Sequence, residues 1–251
     1  MAEADFEILD PAFRRCVRTS ARVECLHQGG RWVEGPAYFP AHRALVWSDI
    51  PNDRLLRFDE CSGHVSVFRE TSGYINGNTV DRQGRLVSCE QGGRRVSRTE
   101  HDGSTTVLAD RFEGKRFNSP NDVVVSSDGS VWFTDPTYGI DSNYEGMAAE
   151  SEIGASHLYR IDAATGAVEI AANDFVRPNG LAFSPDERRL YVADTGATHL
   201  PDGPRHIRVF DVGPGGALAG GEVFATCTNG MFDGFRVDTA GRLWASAADG
   251  V

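Results

Sequence analysis

The chain has no excess of basic residues, no long apolar run and no nucleophile motif, and each absence removes a class of function. Lys and Arg number 25 against 36 Asp and Glu, for a formal charge of −11 and a pI near 5.1. Nucleic acid requires a basic footprint, so that partner is excluded. An acidic surface instead favours solubility and attracts cations. The opening stretch, MAEADFEILDPAFRRC, lacks the apolar core of a secretory signal, and no later run approaches the length of a membrane span. A cytoplasmic protein without a membrane partner is expected.

Cysteine is also sparse. Cys16, Cys25, Cys61, Cys89 and Cys227 are odd in number and scattered without CxxC spacing, which fits reduced thiols better than a disulfide frame. No Cys/His pair has the spacing of a zinc site. A GxSxG elbow is missing, as is any glycine loop of the phosphate-cradling kind. His101 and His199 fall in loops and read as solvated residues.

What the chain does have is turns. Its 251 residues include 28 glycines and 40% hydrophobic residues, enough for one large domain. Short β-branched and aromatic runs alternate with Gly, Asp, Pro and Asn, and helical periodicity is nearly absent beyond a short lead-in helix near Pro11–Val17. ALVWSD, RLLRFD and HVSVF follow PAYF. RLVSCE, RRVSRTE and STTVLA follow NTVD, and DVVV, GLAF and GFRVD open three further units. Up to four strands per unit predict meander blades of an all-β propeller.

Five polar residues open these units: Glu34, Asn78, Asn121, Asn179 and Asp233, at spacings of 44, 43, 58 and 54. If the first strand of each blade faces a shared axis, they converge on one point. Two carboxylates and several amide oxygens suit a hard divalent cation. Calcium leads, and magnesium, manganese and zinc are admitted by the same oxygen-rich set. The competing reading for any one of these residues is a local turn or cap.

A second series of acids, Asp49, Glu90, Asp135 and Asp194, closes the second strand of successive units and reads as turn capping. Asp135 stands out because TDPTYGI opens the longest insertion, and long loops in compact domains are usually lids or binding loops. The fifth unit stops after its second strand. A closed six-blade ring at this period needs roughly 300 residues, so the sequence reads as C-terminally incomplete. Residues 1–30 are expected to be a lead-in in which RVECLH, 22–27, forms a ring-closing strand. Residues 31–251 are expected to form the propeller as a single domain.

EGPAYF, RFNSPNDVVVSSDGSVWFTDPTYGI, RPNGLAFSPDERRLYVAD and FDGFRVDTAGRLWAS together resemble the regucalcin (senescence marker protein) and gluconolactonase family, and TDPTYG its bacterial gluconolactonase branch. The resemblance implies a six-bladed β-propeller, here lacking its last blade, with one divalent metal and with hydrolysis of a sugar lactone to its aldonic acid. It implies Glu34, Asn121, Asn179 and Asp233 as metal ligands and Asp233 also as the catalytic base. Asn121, Asp135 and Tyr138 are implied in substrate binding, and Asn78 is added as a pocket-lining residue. The animal branch carries an arginine two residues before the equivalent of Asn121. Ser119 occupies that place here, so that sugar contact is not carried over. Two other functions fit the same architecture: a metal-dependent phosphotriesterase-like hydrolase and a non-catalytic calcium- or partner-binding propeller.

Overall fold

Each turn spelled by the sequence becomes the end of a strand. SSDG is typical: Gly129 takes a φ of 88° that side chains resist, and its N–H bonds the Ser126 carbonyl at 2.9 Å. The Ser126 hydroxyl and the Ser130 N–H both bond the Asp128 carboxylate, completing the turn.

The computed structural model describes residues 6–18 and 20–251, and the chain divides into two units, 1–30 and 31–251. Within 31–251, β1 (Val33–Phe39), β2 (Ala44–Asp49), β3 (Arg54–Asp59) and β4 (His64–Glu70) form the first sheet. The second comprises β5 (Ile75–Val80), β6 (Leu86–Glu90), β7 (Arg95–Thr99) and β8 (Thr105–Ala109). A two-residue-strand hairpin, β9 (Arg111–Phe112) and β10 (Lys115–Arg116), leads to the third. That sheet is β11 (Val123–Val125), β12 (Val131–Asp135), β13 (Ser156–Ile161) and β14 (Val168–Phe175). The fourth is β15 (Pro178–Phe183), β16 (Arg189–Asp194), β17 (His206–Val212) and β18 (Leu218–Thr226), and β19 (Phe235–Val237) pairs with β20 (Leu243–Ala245).

Every four-stranded sheet pairs its antiparallel strands in chain order, as a meander. The all-β expectation therefore holds; among the described residues the one α-helical turn is α1 (Tyr138–Asp141), inside the long insertion. The β9–β10 hairpin was not legible because its strands are too short to show alternation. Its turn, Glu113–Gly114, uses positive φ at both positions, 50° and 81°.

Burial runs from one edge of each sheet to the other. The strands β6 and β12 are buried at every position, whereas β4, β8, β14 and β18 alternate or lie exposed. Successive sheets pack against one another and share cores. Val46, Leu55, Ile75 and Leu86 join the first and second, and Val87, Cys89, Val123 and Phe133 the second and third. Trp132, Leu158, Leu181 and Phe210 join the third and fourth, and Tyr191, Ile207 and Phe235 the fourth and the β19–β20 pair. Each fully buried Leu, Ile or Phe stabilises this stack by about 1.5–3 kcal/mol.

In residues 6–30, a 3₁₀ turn at Pro11–Arg15 is capped by Asp10, whose Oδ1 accepts the Ala12 N–H at 2.7 Å. Residues 22–27 do not form the expected strand. Alternation makes a sequence compatible with a strand, but the strand itself needs a partner edge to satisfy its backbone groups. Among the described residues, no helix is long and apolar enough to cross a membrane.

Candidate metal and catalytic site

The site is built from a repeated dipeptide, a polar residue followed by glycine, at the start of each sheet: Glu34–Gly35, Asn76–Gly77, Asn179–Gly180 and Asp233–Gly234. The third sheet carries Asn121–Asp122 instead. In β1, β5 and β15 the pairing register shifts across this dipeptide, between Glu34 and Ala37, Ile75 and Asn78, and Pro178 and Leu181. Such bulges re-aim side chains. Gly35, Gly77 and Gly180 are required by close approach. A Cβ on Gly35 would lie 2.2 Å from the Asn76 carbonyl oxygen, one on Gly77 2.5 Å from that of Asn121, and one on Gly180 2.2 Å from that of Asp233. Each glycine thus seats the polar residue of the following sheet.

Donors from the preceding sheet hold these carbonyls. Ser48 Oγ donates to the Asn76 carbonyl at 2.7 Å, the Gly77 N–H to that of Asn121 at 2.7 Å, and Thr134 Oγ1 to that of Asn179 at 2.8 Å. Asn121 and Asp233 are further fixed through their own N–H groups, which bond the Thr134 and Ser246 carbonyls at 2.8 and 3.2 Å.

Glu34, Asn76, Asn121, Asn179 and Asp233 line a cavity of about 510 Å³. A second cavity of about 440 Å³ shares all five and continues past Asp122 and Arg236, so the five stand where two cavities meet. Four of the five residues singled out in the sequence are therefore together. The fifth is corrected: Asn76, not Asn78, comes from the second sheet. Asn78 is fully buried between the first two sheets. Its Nδ2 donates to the Gly35 carbonyl at 3.0 Å and to Ser48 Oγ at 2.9 Å, and its Oδ1 accepts from Ser88 Oγ at 2.6 Å. With every polar atom taken, it cannot turn to a ligand. Both asparagines lie in NGN, and the glycine that follows only the first was the available signal.

Asp135 is likewise displaced from its expected role. It does not line either cavity, and its Oδ2 and Oδ1 accept the N–H groups of Asn118 and Ser119 at 2.8 and 2.9 Å. Burial pushes its carboxyl up to about 7 against the pull of these two bonds. Asp49 and Asp194 make similar bonds: Asp49 Oδ1 accepts the Arg31 N–H at 3.0 Å, and Asp194 accepts those of Val176 and Arg177, both at 2.9 Å. These acids anchor the segment entering the first strand of their own sheet.

Two loops roof the larger cavity. Tyr138, at the start of the insertion 136–155, lines it, and its hydroxyl bonds Thr195 Oγ1 at 2.7 Å and Thr198 Oγ1 at 2.9 Å. Arg177 lays its guanidinium over the Tyr138 ring at 4.8 Å and pairs with Asp141 at 2.7 Å. His199, read in the sequence as a solvated loop residue, lines the cavity and approaches the same Asp141 oxygen at 3.4 Å. His101 lines a separate groove. Asn118 Nδ2 donates to the carbonyls of both Asp135 and Ala155, at 3.0 and 2.8 Å, and so ties together the two ends of the insertion. Trp32, Asn76 and Glu145 were not anticipated as lining residues. Trp32 Nε1 donates to Glu34 Oε1 at 2.9 Å.

The electrostatics explain what the site lacks by way of balance. Burial first, and then Asp233, raise Glu34 well above the usual carboxylate range. Burial and the neighbouring Asp122 raise Asp233, while a side-chain hydrogen bond with Asn179 opposes them. Two carboxylates that repel one another in a desolvated place hold protons more tightly, and a cation between them would remove that cost. Among the described residues no group of three or more His, Cys, Asp or Glu side chains is positioned for a metal. The oxygen-bearing side chains on this wall include the carboxylates of Glu34 and Asp233 and the amides of Asn121 and Asn179, with Asn76 beside them. This all-oxygen set fits a hard divalent ion.

A profile of the SMP-30/gluconolactonase/LRE-like region matches residues 32–251. The chain belongs to this family. A member from Zymomonas mobilis, named gluconolactonase, is 28% identical over 267 residues, covering 96% of this chain and 71% of that protein. Among solved structures, a gluconolactonase from Xanthomonas campestris superposes with a TM-score of 0.82 at 41% identity, over 88% of this chain and 72% of that one. Regucalcin from Agrobacterium tumefaciens, described as a calcium-binding protein, superposes with a TM-score of 0.66 at 22% identity, over 86% and 67%. That likeness identifies the fold as the propeller of the family.

Proposed function

We propose that the protein hydrolyses a sugar lactone of the gluconolactone kind to its aldonic acid, using one divalent cation held by Glu34, Asn121, Asn179 and Asp233. Lactone hydrolysis as the reaction class follows from family membership and from the named gluconolactonases. The observation that carries the site assignment is the pair of half-buried, mutually repelling carboxylates, Glu34 and Asp233, set among asparagine side chains on one cavity wall. The ring is taken as six-bladed, residues 31–251 as its domain and 1–30 as a lead-in, in a cytoplasmic setting. Calcium is the preferred ion because the donors are all oxygen.

When bound, the cation supplies charge neutralisation and Lewis-acid polarisation of a carbonyl. Asp233 accepts a proton from water as that oxygen attacks the lactone carbonyl carbon. The ring C–O bond then breaks, the proton returns to the departing ring oxygen, and an open hydroxy acid leaves. The Asp233 carboxylate lies on the cavity wall, within reach of a bound substrate and water, where it can take up that proton and return it. Asn179 orients it through their side-chain hydrogen bond. Asn76 and Asn121 line the cavity beside it and offer amide groups to the substrate.

The test is turnover of gluconolactone by wild type, Asp233→Asn and Glu34→Gln, each chelator-treated and then resupplied with calcium. Both variants are expected to lose calcium binding and hydrolysis together. Full turnover by either variant after chelation overturns the assignment.

A further inference from the structure

The larger cavity has an asymmetric charge. Its wall carries three carboxylates, Glu34, Asp233 and Glu145, and His199, but no Lys or Arg. The nearest arginine of the roof, Arg177, is turned to Asp141 at 2.7 Å and stacked on Tyr138. A dication between Glu34 and Asp233 balances those two, and Glu145 then leaves one negative charge facing the substrate.

The position of Glu145 is fixed by its neighbour. Gly146 packs on α1 so closely that a Cβ there would lie 2.1 Å from the Gly139 carbonyl oxygen. The Ala149 N–H bonds the Ile140 carbonyl at 3.0 Å, and the Ala148 N–H bonds Asn143 Oδ1 at 2.9 Å. The Glu145 carboxylate is half-buried on a pinned backbone. Burial, and then the facing Asp233 and Asp141, hold its carboxyl above the usual range.

We propose that Glu145 is a specificity-determining residue that accepts hydrogen bonds from the hydroxyls of a neutral polyhydroxy lactone and excludes lactones bearing a phosphate or sulfonate. A carboxylate has only acceptor sites, which match a polyol and repel an anion. This rests on the proposed lactonase reading.

The test compares kcat/KM for gluconolactone and for its 6-phosphate in the calcium-loaded protein, for wild type, Glu145→Gln and Glu145→Asp. A parallel calorimetric titration with glucitol and glucitol 6-phosphate reads binding without turnover. Wild type is expected to prefer the neutral compound of each pair by about tenfold or more, as one unneutralised charge within a few ångströms implies. Glu145→Gln should narrow that preference, and Glu145→Asp should keep it. Equal handling of neutral and anionic compounds by wild type, or an unchanged ratio in Glu145→Gln, overturns the inference. If neither lactone is hydrolysed but glucitol binding shows the expected discrimination, the lactonase reading fails and charge selection by Glu145 stands.

Discussion

Thr134 reaches from the third sheet to the fourth: its hydroxyl donates to the Asn179 carbonyl at 2.8 Å while accepting the Asp122 N–H at 3.1 Å. One buried oxygen therefore fixes the backbone of a candidate metal ligand and the residue that follows another. Thr134→Val keeps the shape and strands both partners. A loss of about 1–3 kcal/mol is expected in denaturant unfolding, the usual cost of unsatisfied buried groups. Calcium affinity should fall as well, because Asn179 is no longer held. A variant with wild-type affinity would show that the bond serves stability alone.

The glycine of each opening dipeptide gives a second prediction. Gly180→Ala drives a methyl to 2.2 Å from the Asp233 carbonyl oxygen, whereas the space beside Gly234 is open. Gly180→Ala should cost about 1–3 kcal/mol or more and depress turnover through displacement of Asp233. Gly234→Ala should be tolerated by comparison. Similar melting temperatures for the two variants would refute the packing argument.

Proton linkage supplies a third. Glu34 and Asp233 have folded-state affinities for protons above their unfolded values, so the cation-free native state binds more protons than the unfolded chain and stability falls as pH rises. A bound cation removes that penalty where both groups are ionised. The rise in melting temperature on adding calcium should be larger at about pH 8 than at about pH 5, with protons released on binding. Equal shifts at both pH values would contradict the assignment of this pair.

Asp135 separates structure from catalysis. Its carboxyl is raised to about 7 by burial, so its ionisation costs stability progressively as pH climbs from the ordinary carboxylate range toward neutrality. Asp135→Asn removes that slope and presents one acceptor to two N–H donors. The expected outcome is a flatter pH–stability profile and altered KM through the 117–119 and 136–155 segments, with calcium affinity retained. Loss of calcium binding would place Asp135 nearer the ion than its hydrogen bonds do.

Much of this was legible because the fold repeats. The turn sequences located the sheets, and four of the five opening residues were identifiable from recurrence, since Glu34, Asn121, Asn179 and Asp233 each stand at one place in their unit. Choosing between Asn76 and Asn78 required the bulge, which breaks the two-residue alternation at that point. The anchoring of Asp135 was hidden for another reason: its partners are backbone N–H groups 16 and 17 residues away, and backbone donors leave no trace in side-chain identity. Glu145 lies in a segment without periodicity, so only the packing of Gly146 on Gly139 gives it a direction.

The staple at Asn118, which holds the Asp135 and Ala155 carbonyls with a single amide, makes the insertion between them a closed loop on a fixed base. Glu34, Asn76, Asn179 and Asp233, which open the dipeptides, all lie outside that loop. With Glu145 as the proposed selector, a graft between these two carbonyls is a way to alter the choice of substrate while leaving those dipeptides in place.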